Sequence, residues 1–250
     1  MSGHSKWATI KHKKGAADKA RGRLFAKLIR QVEVAARQGG GDPDANPTLR
    51  TMFQKAREAS VPLDTIERAI KRGTGELEGV AYEAITYEGY APGGVALLVE
   101  TLTDNRNRTG SEIRALFTKN GGSLAEPGAV AWQFERKGLV SVDRSVAEDE
   151  VMVVGLDHGA EDVVDAGDAW QVTCAPAHTA RLRAAFDEAG IAVSEADVTM
   201  AATTSVAVTD PAGAKAVLRL IDVLEDHDDV QAVYSNLDIS DDLLESVSVQ

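Results

Sequence analysis

The chain has 250 residues, enough for two or three domains with buried cores, and its 44% hydrophobic and 26% charged residues suit a globular protein. No apolar run approaches the roughly 20 residues of a membrane span, and no apolar stretch follows the basic start as a secretory signal would require. A single cysteine, Cys174, excludes an internal disulfide framework and any Cys-based zinc site, so a cytoplasmic protein is expected.

The net charge of −12 is divided unevenly. Residues 1–72 hold 16 Lys and Arg against 7 Asp and Glu, a balance of +9, and residues 73–250 hold 11 against 32, or −21. Local charge density sets the field that a phosphate backbone meets, so the amino end favours a polyanion and the acidic remainder repels one.

Residues 1–15 have no helical apolar stripe and are predicted to be an irregular basic arm carrying Trp7. From about Ala16 to Gln38, Phe25, Leu28, Ile29, Val32, Ala35 and Ala36 recur with helical spacing, and Gly39-Gly40-Gly41 stops that helix. Asn46 as N-cap with Pro47 in the first turn opens a second helix, burying Leu49, Met52, Phe53 and Ala56. Pro62 opens a third, with Ile66, Ala69 and Ile70 inward, Lys71 and Arg72 at its negative end and Gly73 ending it. The three helices make a small bundle.

After Val80 the pattern turns to strands. Tyr82–Tyr90 and Val95–Leu102 flank Ala91-Pro92-Gly93-Gly94 as a hairpin. Thr109 and Glu112 have capping-box spacing ahead of Ile113, Leu116 and Phe117, and Ala129–Phe134 is predicted as a further strand. Residues 135–202 follow the order β-α-β-β-α-β, the ferredoxin-like arrangement, with Ser145 and Glu148 capping their first helix. Ser205–Thr209, Pro211–Glu225 and Val230–Tyr234 make a β-α-β half without a partner after it. The fold class expected is α+β: an N-terminal three-helix domain plus two α+β (ferredoxin-like) domains. The economical division is 1–78 as arm and bundle, 79–134 plus 203–250 as one discontinuous domain, and 135–202 inserted into it. Two sequential domains with a trailing subdomain remain the alternative.

At 100° per residue, Lys19, Arg23, Lys27, Arg30 and Arg37 fall within an arc of about 80° opposite the apolar stripe. With Lys6, Lys11, Lys13, Lys14 and Arg21 they gather ten cations on one surface, and only Asp18 among residues 1–30 opposes nine Lys and Arg. Long cationic side chains on a rigid helix with an adaptable arm are what phosphate recognition needs. Trp7 and His12 can stack on unpaired bases, which favours RNA or a distorted duplex; packing of Trp7 on the bundle is the other reading, and a solvated helix face the bland one. Arg106 and Arg108, in Asp104-Asn105-Arg106-Asn107-Arg108-Thr109 ahead of a helix start, form a second candidate docking point, through the helix N-terminus, or else a turn whose arginines pair locally.

Other signals point away from chemistry. His4 and His12 lack metal-ligand company, Gly89 to Gly94 lacks the ending of a phosphate-binding loop, and His158, His178 and His227 read as solvated. Glu225-Asp226-His227-Asp228-Asp229 lacks the spacing of a calcium loop and reads as solubilising a helix end. Cys174 reads as a buried, inert thiol. No cofactor, metal, membrane or small-molecule substrate is expected.

Gly3-His4-Ser5-Lys6-Trp7 with Ile10-Lys11-His12-Lys13-Lys14, Asp42-Pro43, Asn46-Pro47, Ile66-Glu67-Arg68-Ala69-Ile70, the stretch Tyr87 to Val95 and the stretch Leu102 to Thr109 together resemble the YebC family. The resemblance spans the chain, with departures at Ser60-Val61-Pro62-Leu63 and at Ala129. It implies a helical domain and two α+β domains around a cleft, and a probable transcriptional regulator that binds DNA. It also implies kinship with mitochondrial translational activators of cytochrome c oxidase subunit I and with bacterial proteins linked to stalled ribosomes. The family's basic opening maps onto Lys6, Lys11, Lys13 and Lys14, and its polar loop onto Asn105–Thr109.

The expectation is a non-enzymatic, nucleic-acid-binding regulator of gene expression, acting on ribosomal RNA in translation or, alternatively, on DNA in transcription. An enzyme using the interdomain cleft and an adaptor working through the acidic faces are the competing readings.

Overall fold

The computed structural model describes residues 17–167 and 169–248. Helices α1 (Ala17–Gly39), α2 (Pro47–Glu58) and α3 (Leu63–Thr74) form the bundle, closed over Leu28, Val32, Ala35, Leu49, Ala56 and Ile66. Leu49 and Ile66 are fully buried, each contributing about 1.5–3 kcal/mol. Asn46 caps α2 as predicted, accepting from the Leu49 N–H at 3.1 Å. Its amide also donates to the carbonyls of Ala35 (2.8 Å) and Gly40 (2.9 Å), so one side chain starts α2 and seals the end of α1.

Gly73 does not end α3, as the sequence suggested. The helix runs to Thr74, and Gly75 (φ 84°) supplies the left-handed cap. Gly73 instead lets two helices touch: a Cβ there would stand 2.4 Å from the Glu33 carbonyl and 2.7 Å from the Ala36 methyl on α1.

Strands β1 (Glu83–Tyr90) and β2 (Ala96–Thr103) form the predicted antiparallel hairpin, Glu83 opposite Thr103 and Tyr90 opposite Ala96. Helix α4 (Arg106–Lys119) follows, then the short β3 (Ser123–Leu124), which pairs with β1. The strand expected at Ala129–Phe134 is instead a loop and a 3-10 turn through Gln133. Buried Glu88 organises it, its carboxylate accepting from the N–H groups of Gly128 (2.6 Å), Val130 (2.7 Å) and Ala131 (2.8 Å). Burial alone would raise that carboxyl's pKa; the three N–H bonds outweigh it and hold the group below its ordinary value.

Next come β4 (Phe134–Asp143), α5 (Glu148–Asp157), β5 (Ala160–Asp165), β6 (Ala169–Cys174), α6 (Thr179–Glu188) and β7 (Val193–Ala202). Their sheet has the order β5-β6-β4-β7 and is antiparallel throughout, the ferredoxin-like arrangement. Alternate residues Val140, Val142, Trp170 and Val172 meet Val151, Leu182 and Phe186, so both helices cover one face. No side-chain cap opens α5, contrary to the Ser145 and Glu148 reading. Cys174 lies fully buried, and burial pushes its thiol pKa up, as an inert core thiol requires.

The chain then returns through β8 (Val206–Ala207), α7 (Pro211–Glu225), β9 (Val230–Ser235), β10 (Leu237–Asp238) and α8 (Asp241–Ser248), the last of which the sequence reading missed. Strand β9 pairs antiparallel with β2, from Leu97 opposite Ser235 to Thr101 opposite Val230, giving a sheet of order β3-β1-β2-β9. Helices α4 and α7 cover one face, where Leu97, Val99, Ile113, Phe117, Leu220 and Ile221 form the core. On the other face Ala96 and Leu98 meet Val130 and Phe134, joining the two sheets. No helix among the described residues is long and apolar enough to cross a membrane.

Candidate nucleic-acid interface

Of the candidate contact residues, Lys6, Trp7, Lys11, His12, Lys13 and Lys14 lie outside the described residues, as does the Lys19 side chain. Arg21 is exposed on α1. The other candidates on that helix are engaged. Arg23 Nη2 lies 2.9 Å from Asp226 Oδ1, and Lys27 Nζ donates to the Glu225 carbonyl at 2.7 Å. Arg30 donates to the Asp228 carbonyl and, at 3.1 Å, to Asp229 Oδ1, with its guanidinium 5.7 Å above the Tyr82 ring. Arg37 donates to the Val80 carbonyl (2.7 Å) and to Glu33 (3.4 Å), a carboxylate buried in the bundle that also pairs with Arg72.

Arg23, Lys27 and Arg30 therefore dock the middle of α1 on the segment Glu225–Asp229, at the end of α7 and ahead of β9. The sequence alone reads that acidic segment as solubilising a helix end. The structure gives it a partner, because the chain's most basic helix and one of its densest acidic runs attract each other across the fold. Lys55 on α2 adds a second stitch to Asp197 on β7.

Asp229 is the centre of this joint. It is 4% exposed. Besides Arg30, it accepts from Arg108 Nη2 at 2.8 Å and from the Thr109 hydroxyl at 2.6 Å. Burial would raise its pKa, but Thr109, Arg108 and Arg30 together hold it below the ordinary carboxylate value. Next to it, His227 Nδ1 accepts from the Asp229 N–H at 3.1 Å, and its Nε2 lies 2.9 Å from Glu112. The ligand atoms of Glu112, His227 and Asp229 lie within 4.8 Å of one another, the reach of a metal. The donor set does not fit one: both Asp229 oxygens are taken by guanidinium groups and a hydroxyl, and those two cations would repel an ion.

Arg106 and Arg108 are not in a loop. The N-cap of α4 is Asn105, whose side chain accepts from the Arg108 N–H at 3.1 Å, and Thr109 lies buried one turn in. The capping-box reading of Thr109 and Glu112 is thus displaced by four residues. Two positions apart on a helix means about 200° of rotation, so the two arginines serve different clefts. Arg108 faces a cleft of about 530 Å3 crowded with Asp104, Glu112, Asp226, Asp228 and Asp229. Arg106 lines a cleft of about 750 Å3 between α4 and β1, together with Tyr87, Asn107, Arg114 and Lys119. No carboxylate of the described residues lines it; Arg106 reaches Glu83 at its rim, 3.3 Å away in an exposed pair. Sequence reasoning passed over Arg114 and Lys119. The signal was present, since α4 carries four of the eleven basic residues that follow position 72.

Family models described as the TACO1/YebC protein N-terminal domain and the TACO1/YebC second and third domain match residues 5–76 and 82–237. A protein of Thermobifida fusca named "Probable transcriptional regulatory protein" is 56% identical over 250 residues, covering 99% of this chain and all of that one. One of Nocardia farcinica with the same name is 54% identical over 246 residues, 98% of each chain. The crystal structure of a conserved hypothetical protein from Aquifex aeolicus superposes with a TM-score of 0.82 at 43% identity, covering 91% of this chain and 95% of that one.

Proposed function

We propose that this chain, which belongs to the TACO1/YebC family, regulates gene expression by gripping a nucleic-acid backbone rather than by catalysis. The observation that carries the reading is the one-sided charge: residues 1–72 balance at +9 on a chain whose remainder stands at −21. Phosphate contacts release condensed counterions and supply most of non-specific affinity, so the ligand goes to the cationic end. Because Arg23, Lys27 and Arg30 are occupied by the acidic segment, α1 serves chiefly as a mount. Lys6, Lys11, Lys13 and Lys14, with Arg21, make the contacts, and Trp7 and His12 offer stacking surfaces.

Structured RNA of the ribosome is the favoured target, in the cytoplasm and without a cofactor. An aromatic-bearing basic arm suits RNA, and the bundle offers no helix arranged to read a major groove. DNA is the second reading, favoured by the relatives' name of probable transcriptional regulatory protein. The division that goes with this function is 1–78 as arm and bundle, 79–134 with 203–250 as a body, and 135–202 set into that body; the pairing of β9 with β2 supports it.

The test is binding of the full chain to a ribosomal RNA fragment and to duplex DNA across a salt series. Affinity should fall with a log–log slope of about −0.7 per phosphate on single strands and about −0.9 on duplex. Replacing Lys11, Lys13 and Lys14 with Glu should abolish it. A flat salt dependence, or unchanged binding by the triple variant, rejects the reading.

A further inference from the structure

We propose that the cleft between α4 and β1 is a second nucleic-acid site, shaped for a single RNA strand. The inference rests on the nucleic-acid reading above but uses a different surface.

Arg106, Arg114 and Lys119 are three of only eleven basic residues after position 72, and all three line this one cleft. Arg114 and Lys119 are exposed and form no ion pair with any described residue. Arg108, Lys137 and Arg144 are matched by carboxylates, and what distinguishes Arg114 and Lys119 from other unmatched surface cations is that they share one cleft with Arg106. Here matching is confined to the rim pair with Glu83, which, at 69% and 55% exposure, holds Arg106 only weakly. An unmatched positive pocket amid negative surface focuses the field on itself, and an anion settles there.

Shape selects the kind of anion. From Arg106 to Lys119 the helix rises about 20 Å, so the cations are strung along the cleft rather than gathered at one point. That suits a chain of phosphates better than a single one. A cleft of about 750 Å3, lined by α4 on one side and by Tyr87 of β1 and Leu124 of β3 on the other, suits a single strand better than a duplex. Gly110 keeps the wall low between the cations; even a methyl there would come within 3.3 Å of the Tyr87 hydroxyl. Tyr87, half-buried in the same wall, offers a ring for a base to stack on, and the Asn107 amide can donate to a base edge or phosphate. Cations beside an aromatic face are the working parts of a single-strand site.

The experiment measures anisotropy of a labelled 12-nucleotide oligouridine with the full chain, in wild type, an Arg114→Glu/Lys119→Glu variant and a Lys11→Glu/Lys13→Glu/Lys14→Glu variant. An Arg114→Gln/Lys119→Gln variant and thermal melts guard against a folding defect. The cleft variants should bind at least tenfold more weakly, with the salt slope shallower by about 1.4, two contacts at about 0.7 each. The arm variant should keep that contribution, and photocrosslinking with 5-bromouridine should mark the peptide containing Tyr87. Wild-type affinity in both cleft variants with loss in the arm variant overturns the cleft site and leaves the arm reading standing. Absence of binding by wild type to any nucleic acid overturns both. Displacement of RNA by polyglutamate at equal charge concentration overturns the assignment to a nucleic acid in favour of an acidic protein segment.

Discussion

Arg30 on α1 and Asp229 ahead of β9 lie 3.1 Å apart, although 199 positions of chain separate them. The carboxylate is almost wholly enclosed and the guanidinium one-fifth exposed, a setting in which a charged pair resists screening by salt. Because Arg108 and Thr109 of α4 hold the same carboxylate, one side chain locks the bundle, the central helix and the returning strand together.

Asp229→Asn keeps the shape but removes the charge and turns an amide donor towards groups that already donate. It should lower unfolding free energy by about 2–3 kcal/mol, read by urea denaturation. Hydrogen exchange should accelerate along Arg23–Arg30, while the β4-to-β7 sheet stays protected. Unchanged exchange in α1 would show that the joint does not hold the bundle.

Acid should loosen that joint in a defined window. The folded pKa of Asp229 lies below its unfolded value, so its contribution is fully present above about pH 4 and disappears as pH falls through the lower folded value. Between pH 5 and 8 the melting temperature should not respond to this group. Below pH 4 wild type should lose stability more steeply than Asp229→Asn; equal slopes would contradict the assignment.

Two glycines make a paired test. Gly73→Ala drives a methyl against the Glu33 carbonyl and Ala36, and should cost about 1–3 kcal/mol by forcing α1 and α3 apart. Gly22→Ala, with no atom of the described residues beyond its own helix turn within 4 Å of the added carbon, should stabilise α1 by about 0.5–1 kcal/mol. Thermal melts of the two variants should move in opposite directions.

Much of the fold was legible because it is written locally. The Phe25-to-Ala36 stripe, the Asn46-Pro47 cap, the hairpin around Pro92 and the β-α-β-β-α-β order each depend on neighbours within a turn or two. Where the reading failed, a distant residue decided. Thr109 looks like a cap until Asp229, 120 positions on, draws its hydroxyl inward and leaves Asn105 to open the helix. Arg106 and Arg108 look like one cationic spot in a loop; on a helix they point into different clefts. Arg23, Lys27 and Arg30 look free because the segment that occupies them lies nearly two hundred residues away. Charge composition of the two segments, matched against each other, was the available clue.

Glu88→Gln should cost about 1–3 kcal/mol, since an amide offers one acceptor oxygen where Gly128, Val130 and Ala131 present three N–H donors. Tryptophan fluorescence should report it, as Trp132 hangs from this turn with its indole N–H on the Ala129 carbonyl. An unaltered spectrum and melt would mean that the turn holds without the carboxylate.

The pairing of β2 with β9 has a consequence for biosynthesis. All four strands of the β5-β6-β4-β7 layer are translated before Val230 leaves the ribosome. Until then β2 presents an open edge, with Leu97 and Val99 lacking a neighbour on that side, the kind of edge that recruits foreign strands. Nascent chains halted between β2 and β9 would thus be aggregation-prone even with the whole β5-β6-β4-β7 layer already in place, and translation of β9 is what makes the body safe.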